Sequence, residues 1–186
     1  MFAALVPPAE AVDDLESFLE VRRASADFRW TRAEHFHITL AFMAEVSDWR
    51  VDDYVQRLAD SVAAVRAPEV RLARAVAFPG PAAAKVLAVG AEADLDEDAA
   101  ALRSLATKSR NAAVSAGIEV DGATFRPHVT VARLARPADV TAWFRLFETY
   151  DGPAWEADRV TVFASHLGEG PRRAPRHEVL AEVTFG

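Results

Sequence analysis

Cysteine is absent from the 186 residues of the chain, and methionine occurs only twice. The absence of cysteine excludes disulfide bonds, thiolate nucleophiles and cysteine-ligated zinc sites. A hydrophobic core must therefore stabilise the fold, and it can, because 51% of the residues are apolar and 26% are charged. A chain without disulfides is typical of reducing compartments, so we expect a cytoplasmic protein.

Long apolar runs and an excess of positive charge are missing too. The apolar run in "MFAALVPPAE" stops at Pro7, which is too short for a signal peptide or a membrane span. We therefore expect a first β-strand there and no contact with membranes. The formal net charge of −7 disfavours a broad surface for long nucleic acids, although a local group of arginines could still bind a phosphate. Neither a Walker A sequence nor a glycine-rich dinucleotide pattern occurs.

Hydrophobic periodicity predicts a mixed α+β chain with alternating elements. Helical spacing of apolar residues predicts four helices, after Pro7 and Pro8 to about Ala24, from Ser47 or Asp48 to before Pro68, from Asp94 to about Gly117, and over 138–150. Strand-like apolar runs predict a first strand that begins at residue 2 and six later strands, over 34–42, 70–78, 85–91, 128–133, 159–165 and 177–185. No low-complexity segment or linker divides the chain, so we predict a single domain.

The order strand, helix, strand, helix, strand occurs twice, over residues 2–78 and 85–165. Each copy contains the pattern His-x-Thr-x-Ala at the corresponding place, as "HITLA" from His37 and as "HVTVA" from His128. Alternate residues of a strand share a face, so each histidine lies beside its threonine, Thr39 or Thr130, and opposite the intervening apolar residue. We therefore predict that the two polar faces line one shared cleft.

Two histidines and two threonines in one cleft suit a particular chemistry. Imidazoles, whose ordinary pKa is about 6.5, can act as one base and one acid near neutral pH. Threonine hydroxyls donate hydrogen bonds to phosphate oxygens whose negative charge grows in the transition state. Displacement at phosphorus places the attacking and leaving oxygens on opposite sides, which matches groups on opposite walls. Because no serine or cysteine nucleophile motif is visible, we expect water or a ribose hydroxyl to attack directly.

In their sequence context, the motifs "FHITLAF" and "FRPHVTVAR" resemble those of the 2H phosphoesterase superfamily. The resemblance is to its bacterial and archaeal RNA 2′,3′-cyclic phosphodiesterases, which are also called 2′-5′ RNA ligases. It extends over nearly the whole chain, through "FAALVPP", "FRWTRAEHFHITLAFMAEV", "AFPGP", "TFRPHVTVARL" and "ASHLGEG". The resemblance implies a bilobal α+β fold with two pseudo-symmetric lobes, each an antiparallel sheet flanked by helices, and an active cleft between them. We expect the lobes to cover about 1–80 and 81–186, and leave an exchange of strands between them open.

The same resemblance implies an activity, the hydrolysis of ribose 2′,3′-cyclic phosphates to 2′-phosphates without a metal ion or another cofactor. The expected partners are RNA 3′ ends that carry a 2′,3′-cyclic phosphate, or small cyclic nucleotides, bound by a monomer. Two alternatives stay open, physiological 2′-5′ ligation of RNA by the same groups and a nucleotide-binding module that has lost turnover. Intact histidines and threonines in both motifs favour an active enzyme over a binding module.

The resemblance also assigns roles to the motif residues. His37 and His128 are the expected acid/base pair, and Thr39 and Thr130 are the expected ligands of the phosphate oxygens. We expect His128 to activate water and His37 to protonate the departing ribose 3′ oxygen, although the near symmetry of the two motifs leaves this direction open.

Four further residues are candidates for substrate contacts. Arg126 shares strand parity with His128, and it is a candidate phosphate ligand. Arg133 occupies the usual arginine position of the family and is a second candidate, although simple alternation points it away from His128. Phe42 and Phe125 could stack on a nucleobase, but alternation places Phe42 on the apolar face, which favours core packing.

Polar groups outside this assignment have alternative interpretations. His35, His37 and His128 could form a zinc site with one open position, but no carboxylate at a matching spacing joins them. His166 and His177 are expected to be surface or loop residues. The loop "GPRRAPR" is expected to be solvated, although its arginines could attract RNA ends: Arg172, Arg173 and Arg176.

Overall fold

A computed structural model describes residues 1–166, 168–169 and 175–186. Two of the loop arginines considered above, Arg172 and Arg173, lie outside the described residues. The α-helices of the described chain are α1 (Ala9–Arg23), α2 (Val51–Val62), α3 (Asp96–Ser115) and α4 (Thr141–Phe147). None of these described helices has both the length and the apolar character that a membrane crossing needs. The strands are β1 (Phe2–Leu5), β2 (Arg29–Trp30), β3 (Ile38–Phe42), β4 (Glu69–Phe78), β5 (Ala84–Glu92), β6 (His128–Ala138), β7 (Asp151–Glu156), β8 (Arg159–His166) and β9 (Arg176–Thr184).

Every predicted helix and strand has a counterpart in this structure. The strand predicted over 34–42 starts later than expected, because Ala33–His35 form a 3-10 helix and β3 begins only at Ile38. Two strands of the structure, β2 and β7, are not expected from the sequence. β2 has only two residues, and β7 has the sequence "DGPAWE", whose glycine and proline normally indicate a turn. Pairing with β6 and β4, rather than local propensity, makes these two segments strands.

The strands form a sheet in the order β7-β4-β5-β6-β3-β1-β8-β9, with β2 beside β6, and all neighbours are antiparallel. Helix α1 contacts β4 and β7, and α4 contacts β4. Helices α2 and α3 contact each other, α2 also contacts β9, and α3 also contacts β3. The predicted α+β fold is therefore confirmed. The last strands, β8 and β9, extend the half of the sheet that contains β1 and β3. The division of the chain into two pseudo-repeat lobes remains a proposal.

The two halves of the sheet meet at β3 and β6, which pair at Ile38 and Val129. Both side chains are fully buried. On their other sides, β3 pairs with β1 and β6 pairs with β5. This buried apolar pair therefore sets the register between the two halves.

A β-bulge follows the motif threonine in both halves of the sheet. In β3 the register against β1 shifts directly after Thr39, which makes Leu40 an extra residue. In β6 the register against β5 shifts directly after Thr130, which makes Val131 an extra residue. An extra residue reverses the alternation beyond it, so each later side chain in the strand changes its face.

Truncation of Leu105 tests the packing of the core, because this residue lies in α3 and is fully buried. Leu105→Ala should lower the free energy of unfolding by about 2–5 kcal/mol, since it removes buried apolar contacts and leaves a cavity. Urea denaturation measures this change. The control is Val21→Ala, because Val21 is 74% exposed and its truncation should change the free energy of unfolding by less than about 0.5 kcal/mol. Equal stabilities of the two variants would contradict the burial of α3.

Candidate active site

The buried pair between β3 and β6 determines where the motif residues lie, because each of its members is the second residue of a His-x-Thr motif. Continuing the antiparallel register by one residue in each direction places His37 opposite Thr130 and Thr39 opposite His128. The buried pair points into the core, so alternation directs all four polar side chains to the opposite face. All four are partly exposed. The structure thus brings the predicted histidines and threonines together.

Both histidines are oriented by the same type of hydrogen bond. Nδ1 of His37 donates to the backbone carbonyl of His35 at 2.8 Å, and Nδ1 of His128 donates to that of Arg126 at 2.6 Å. A carbonyl oxygen can only accept, so Nδ1 carries the proton in both neutral rings and Nε2 carries the lone pair. Nε2 is therefore the atom of each ring that can take up or return a proton.

Aromatic rings surround His37 and shield it from water. The ring of Phe2 stacks on His37 with the centroids 4.7 Å apart, and the ring of His177 lies at 5.8 Å. The pKa of His37 is lowered to about 4, mainly by burial, while the hydrogen bond to the His35 carbonyl opposes the shift. The nearby imidazoles of His177, His35 and His128 also lower this pKa. Without a ligand, His37 is therefore neutral at neutral pH, and His128 is within its electrostatic reach.

The surroundings of His128 are more cationic. The ring of Phe78 packs 4.8 Å from the His128 ring, and the guanidinium of Arg126 lies over Phe78, 4.9 Å from its centroid. Burial is the main cause that lowers the pKa of His128, and the charges of Arg126 and Arg133 lower it further, against the effect of the hydrogen bond to the Arg126 carbonyl. Both candidate arginines thus lie within electrostatic reach of His128.

The prediction that Arg133 points away from His128, which rests on simple alternation of side chains, is wrong. Counted from His128, strict alternation places Arg133 on the opposite face, but the extra residue Val131 returns it to the face of His128. The strand register agrees with this placement. Arg133 lies opposite Val86, and Val86 lies opposite Phe78, whose ring contacts His128.

The corresponding bulge in β3 places Phe42 outside the core, so the prediction of core packing is wrong. Because Leu40 is an extra residue, Phe42 lies on the face of Thr39. Its partner across the strands is Phe2, and 46% of Phe42 is exposed. Phe125 packs against the core and lines a cavity of about 250 Å³ beside α3. A contact of either ring with a nucleobase remains a proposal.

His177 lies next to His37, although the sequence interpretation treats it as a surface or loop residue. Its ring is 5.0 Å from the ring of Phe2 and 4.9 Å from that of His35. The pairing of β9 with β8 places it there, since His177 lies opposite Ser165. No local signal in the sequence indicates this neighbourhood, because it depends on the order of strands in the sheet.

The remaining polar candidates lie in ion pairs or lack the geometry of a metal site. Nε2 of His166 is 3.2 Å from the Glu178 carboxylate, which fits a surface role. Arg176 pairs with Glu169 and Glu178, so its charge is balanced locally. Within the ranges that the structure describes, no three histidine or acidic side chains are arranged to hold a metal ion. The zinc interpretation of His35 therefore has no geometric support.

Fold and motifs together match a known protein family. A family model described as LigT like Phosphoesterase matches residues 5–88 and 94–172, which include both His-x-Thr motifs. The chain belongs to this family of 2H phosphoesterases, and the resemblance inferred from the motifs is confirmed.

Individual relatives agree with this assignment. An RNA 2′,3′-cyclic phosphodiesterase of Geobacillus stearothermophilus is 31% identical over 134 residues, which are 71% of this chain and 41% of that protein. One of Aeropyrum pernix is 30% identical over 152 residues, 81% of this chain and 82% of that protein. The chain thus spans less than half of the first relative and most of the second. The crystal structure of E. coli LigT complexed with 3′-AMP shares the fold, with a TM-score of 0.75, 21% identity, and coverage of 99% of this chain and 96% of that chain.

Arg133→Gln should raise the pKa of His128, because it removes a positive charge that disfavours the protonated imidazole. An NMR titration of the imidazole signals measures this pKa. Arg145→Gln is the matched control, since it removes the same charge from an exposed position on α4 and should leave the pKa of His128 unchanged. Equal pKa values in the two variants would show that Arg133 does not share the face of His128.

Proposed function

We propose that the protein hydrolyses ribose 2′,3′-cyclic phosphates to 2′-phosphates with two histidines and without a metal ion. The observation that carries this proposal is the pairing of β3 with β6, which sets two Nδ1-anchored histidines close together, each opposite a threonine. Membership of a phosphoesterase family supports the reaction class, and the names of two relatives support the cyclic substrate.

In the proposed reaction, a water oxygen attacks phosphorus while the bond from phosphorus to the ribose 3′ oxygen breaks. We assign Nε2 of His128 as the base that takes the proton from water, and Nε2 of His37 as the acid that protonates the departing 3′ oxygen. The product is a 2′-phosphate with a free 3′ hydroxyl. The two rings end with exchanged protonation states, which proton exchange with solvent then restores. Histidines on two strands suit attack and departure on opposite sides of phosphorus.

His37 needs a bound anion in order to act as the acid. Without a bound anion its pKa is about 4, with burial as the main cause, so Nε2 holds no proton near neutral pH. A phosphodiester anion next to the imidazole favours the protonated form and raises its pKa. Substrate binding thus generates the acid at the place where it is needed.

The threonines and arginines are suited to the non-bridging phosphate oxygens. Thr39 and Thr130 offer neutral hydroxyl donors opposite the histidines, which can stabilise the growing negative charge of the transition state. Arg126 and Arg133 add positive charge near His128, which favours an anionic substrate. These four residues are our proposed phosphate ligands.

The proposed substrates are RNA 3′ ends with a 2′,3′-cyclic phosphate or small cyclic nucleotides, used by a cytoplasmic monomer. The complex of E. coli LigT with 3′-AMP supports a nucleotide ligand for this fold. Stacking of a base on Phe42 or Phe125 belongs to the same proposal. Ligation of 2′-5′ RNA ends would use the same groups in reverse, and no observation favours it over hydrolysis.

His37→Ala and His128→Ala should each lower the turnover of adenosine 2′,3′-cyclic phosphate by about 10²- to 10⁴-fold, the usual contribution of a positioned acid or base. Phosphorus NMR should identify the product as the 2′-phosphate. His166→Ala is the control, because it removes a histidine that is paired with Glu178 outside the motifs, and it should keep wild-type turnover. Wild-type turnover in either motif variant would refute the assignment, and loss of wild-type activity with a chelator would refute metal independence.

The pH dependence of kcat/KM should be a bell with its maximum below pH 6.5. This parameter reports the free enzyme, and the reaction needs one neutral and one protonated imidazole. Both pKa values are lowered from 6.5, that of His37 to about 4. As the pH rises through these two values, the protonated imidazole that serves as the acid is lost. As the pH falls through them, the neutral imidazole that serves as the base is lost. The maximum of kcat should lie at higher pH, because the bound anion raises both values. Initial rates across the pH range decide this, and a kcat/KM maximum above about pH 7 would contradict the effect of burial.

A further inference from the structure

Arg29 and Arg133 lie directly opposite each other on β2 and β6. Opposite residues of an antiparallel pair have their side chains on the same face, with Cβ atoms about 4.5–5.5 Å apart. Both side chains are exposed. Two positive charges in this arrangement repel each other, so the pair is unfavourable until an anion binds between the guanidinium groups.

This arginine pair lies on the active face of the sheet. Arg133 shares that face with Val86 and Phe78 through the strand register, and the ring of Phe78 contacts His128 at 4.8 Å. The other residue of β2, Trp30, belongs to an aromatic cluster, as alternation requires for the opposite face. The β2 arginine therefore points to the same side as the two histidines.

No carboxylate balances the charge of this pair within the described ranges. All of the 28 acidic residues lie in these ranges, and those that form ion pairs with arginines do so with other arginines: Arg23, Arg32, Arg57, Arg66, Arg71, Arg159 and Arg176. Arg29, Arg126 and Arg133 form no ion pair with any of them. In a protein with a net charge of −7, three arginines without acidic partners on the active face indicate an anionic ligand larger than one phosphate.

We propose that Arg29 binds a second phosphate, the one on the 5′ side of the reacting nucleotide in an RNA strand, with Arg133 placed between this phosphate and the reacting one. This inference rests on the proposed function, in which the first phosphate lies between His37 and His128. The charge of Arg133 on β6 affects the pKa of His128. Arg29 lies on the neighbouring strand β2, at a spacing of about 5 Å from β6, and is one strand further from His128 than Arg133 is. Planar guanidinium groups bind phosphate through paired hydrogen bonds. An RNA end carries this second phosphate, and a mononucleoside cyclic phosphate does not.

Two substrates separate the effect of the second phosphate from that of the first. Adenosine 2′,3′-cyclic phosphate lacks it, and the dinucleotide ApA with a terminal 2′,3′-cyclic phosphate carries it. In the wild type, kcat/KM should be higher for the dinucleotide by about tenfold or more, the order of one charge-assisted contact. Arg29→Gln should bring this ratio close to one, and Arg29→Lys should retain part of it, because lysine keeps the charge without the planar fork.

Arg145→Gln is the matched control, because it removes the same charge from an exposed position on α4 and should keep the wild-type ratio. The salt dependence of kcat/KM for the dinucleotide adds a second readout. The slope of log kcat/KM against the logarithm of the salt concentration should become shallower by about one in Arg29→Gln, which corresponds to one released counterion. The same slope should not change in Arg145→Gln.

The outcomes distinguish this inference from the function on which it rests. If both substrates turn over and Arg29→Gln shows the same ratio and salt slope as Arg145→Gln, the second phosphate site is wrong and the proposed function stands. A wild-type ratio near one would overturn the site in the same way. If the wild type turns over neither substrate, the proposed function is refuted, and this inference with it.

Discussion

The antiparallel pairing of β3 with β6 is the constraint on which the site depends. The residues paired there, Ile38 and Val129, are apolar and fully buried, so the core itself holds the register in place. A slip by one residue would exchange the faces of the strands and turn the histidines into the core, where polar groups without partners are costly. The same apolar contact thus stabilises the sheet and aligns the two motifs.

The site combines neutral imidazoles with arginines that have no acidic partner in the described part of the chain. Burial beside Phe2 and Phe78 favours the neutral form of the histidines, while Arg126 and Arg133 make the surroundings of His128 cationic. A bound phosphate would balance the arginines and raise the pKa of the imidazoles. Substrate binding and readiness for acid–base chemistry are therefore coupled, because the anion that is bound also brings the acid into its protonated form.

The helices, most strands and the common face of the motif residues could be predicted from the sequence, because they follow from local periodicity. The bulges could not be predicted, since Leu40 and Val131 are as apolar as their neighbours and nothing marks them as extra residues. Alternation therefore assigns Phe42 and Arg133 to the wrong face. The neighbourhood of His177 and the strands β2 and β7 depend on pairing between distant segments, which local propensity does not encode.

The most direct test of the shared site is an NMR titration of the imidazole signals without and with bound adenosine 2′-phosphate. If His37 and His128 flank one phosphate, binding of this nucleotide should raise the pKa of both rings, because the anion stabilises the protonated imidazoles next to it. A rise at only one of the two rings, or at neither, would show that the histidines do not meet at a single phosphate.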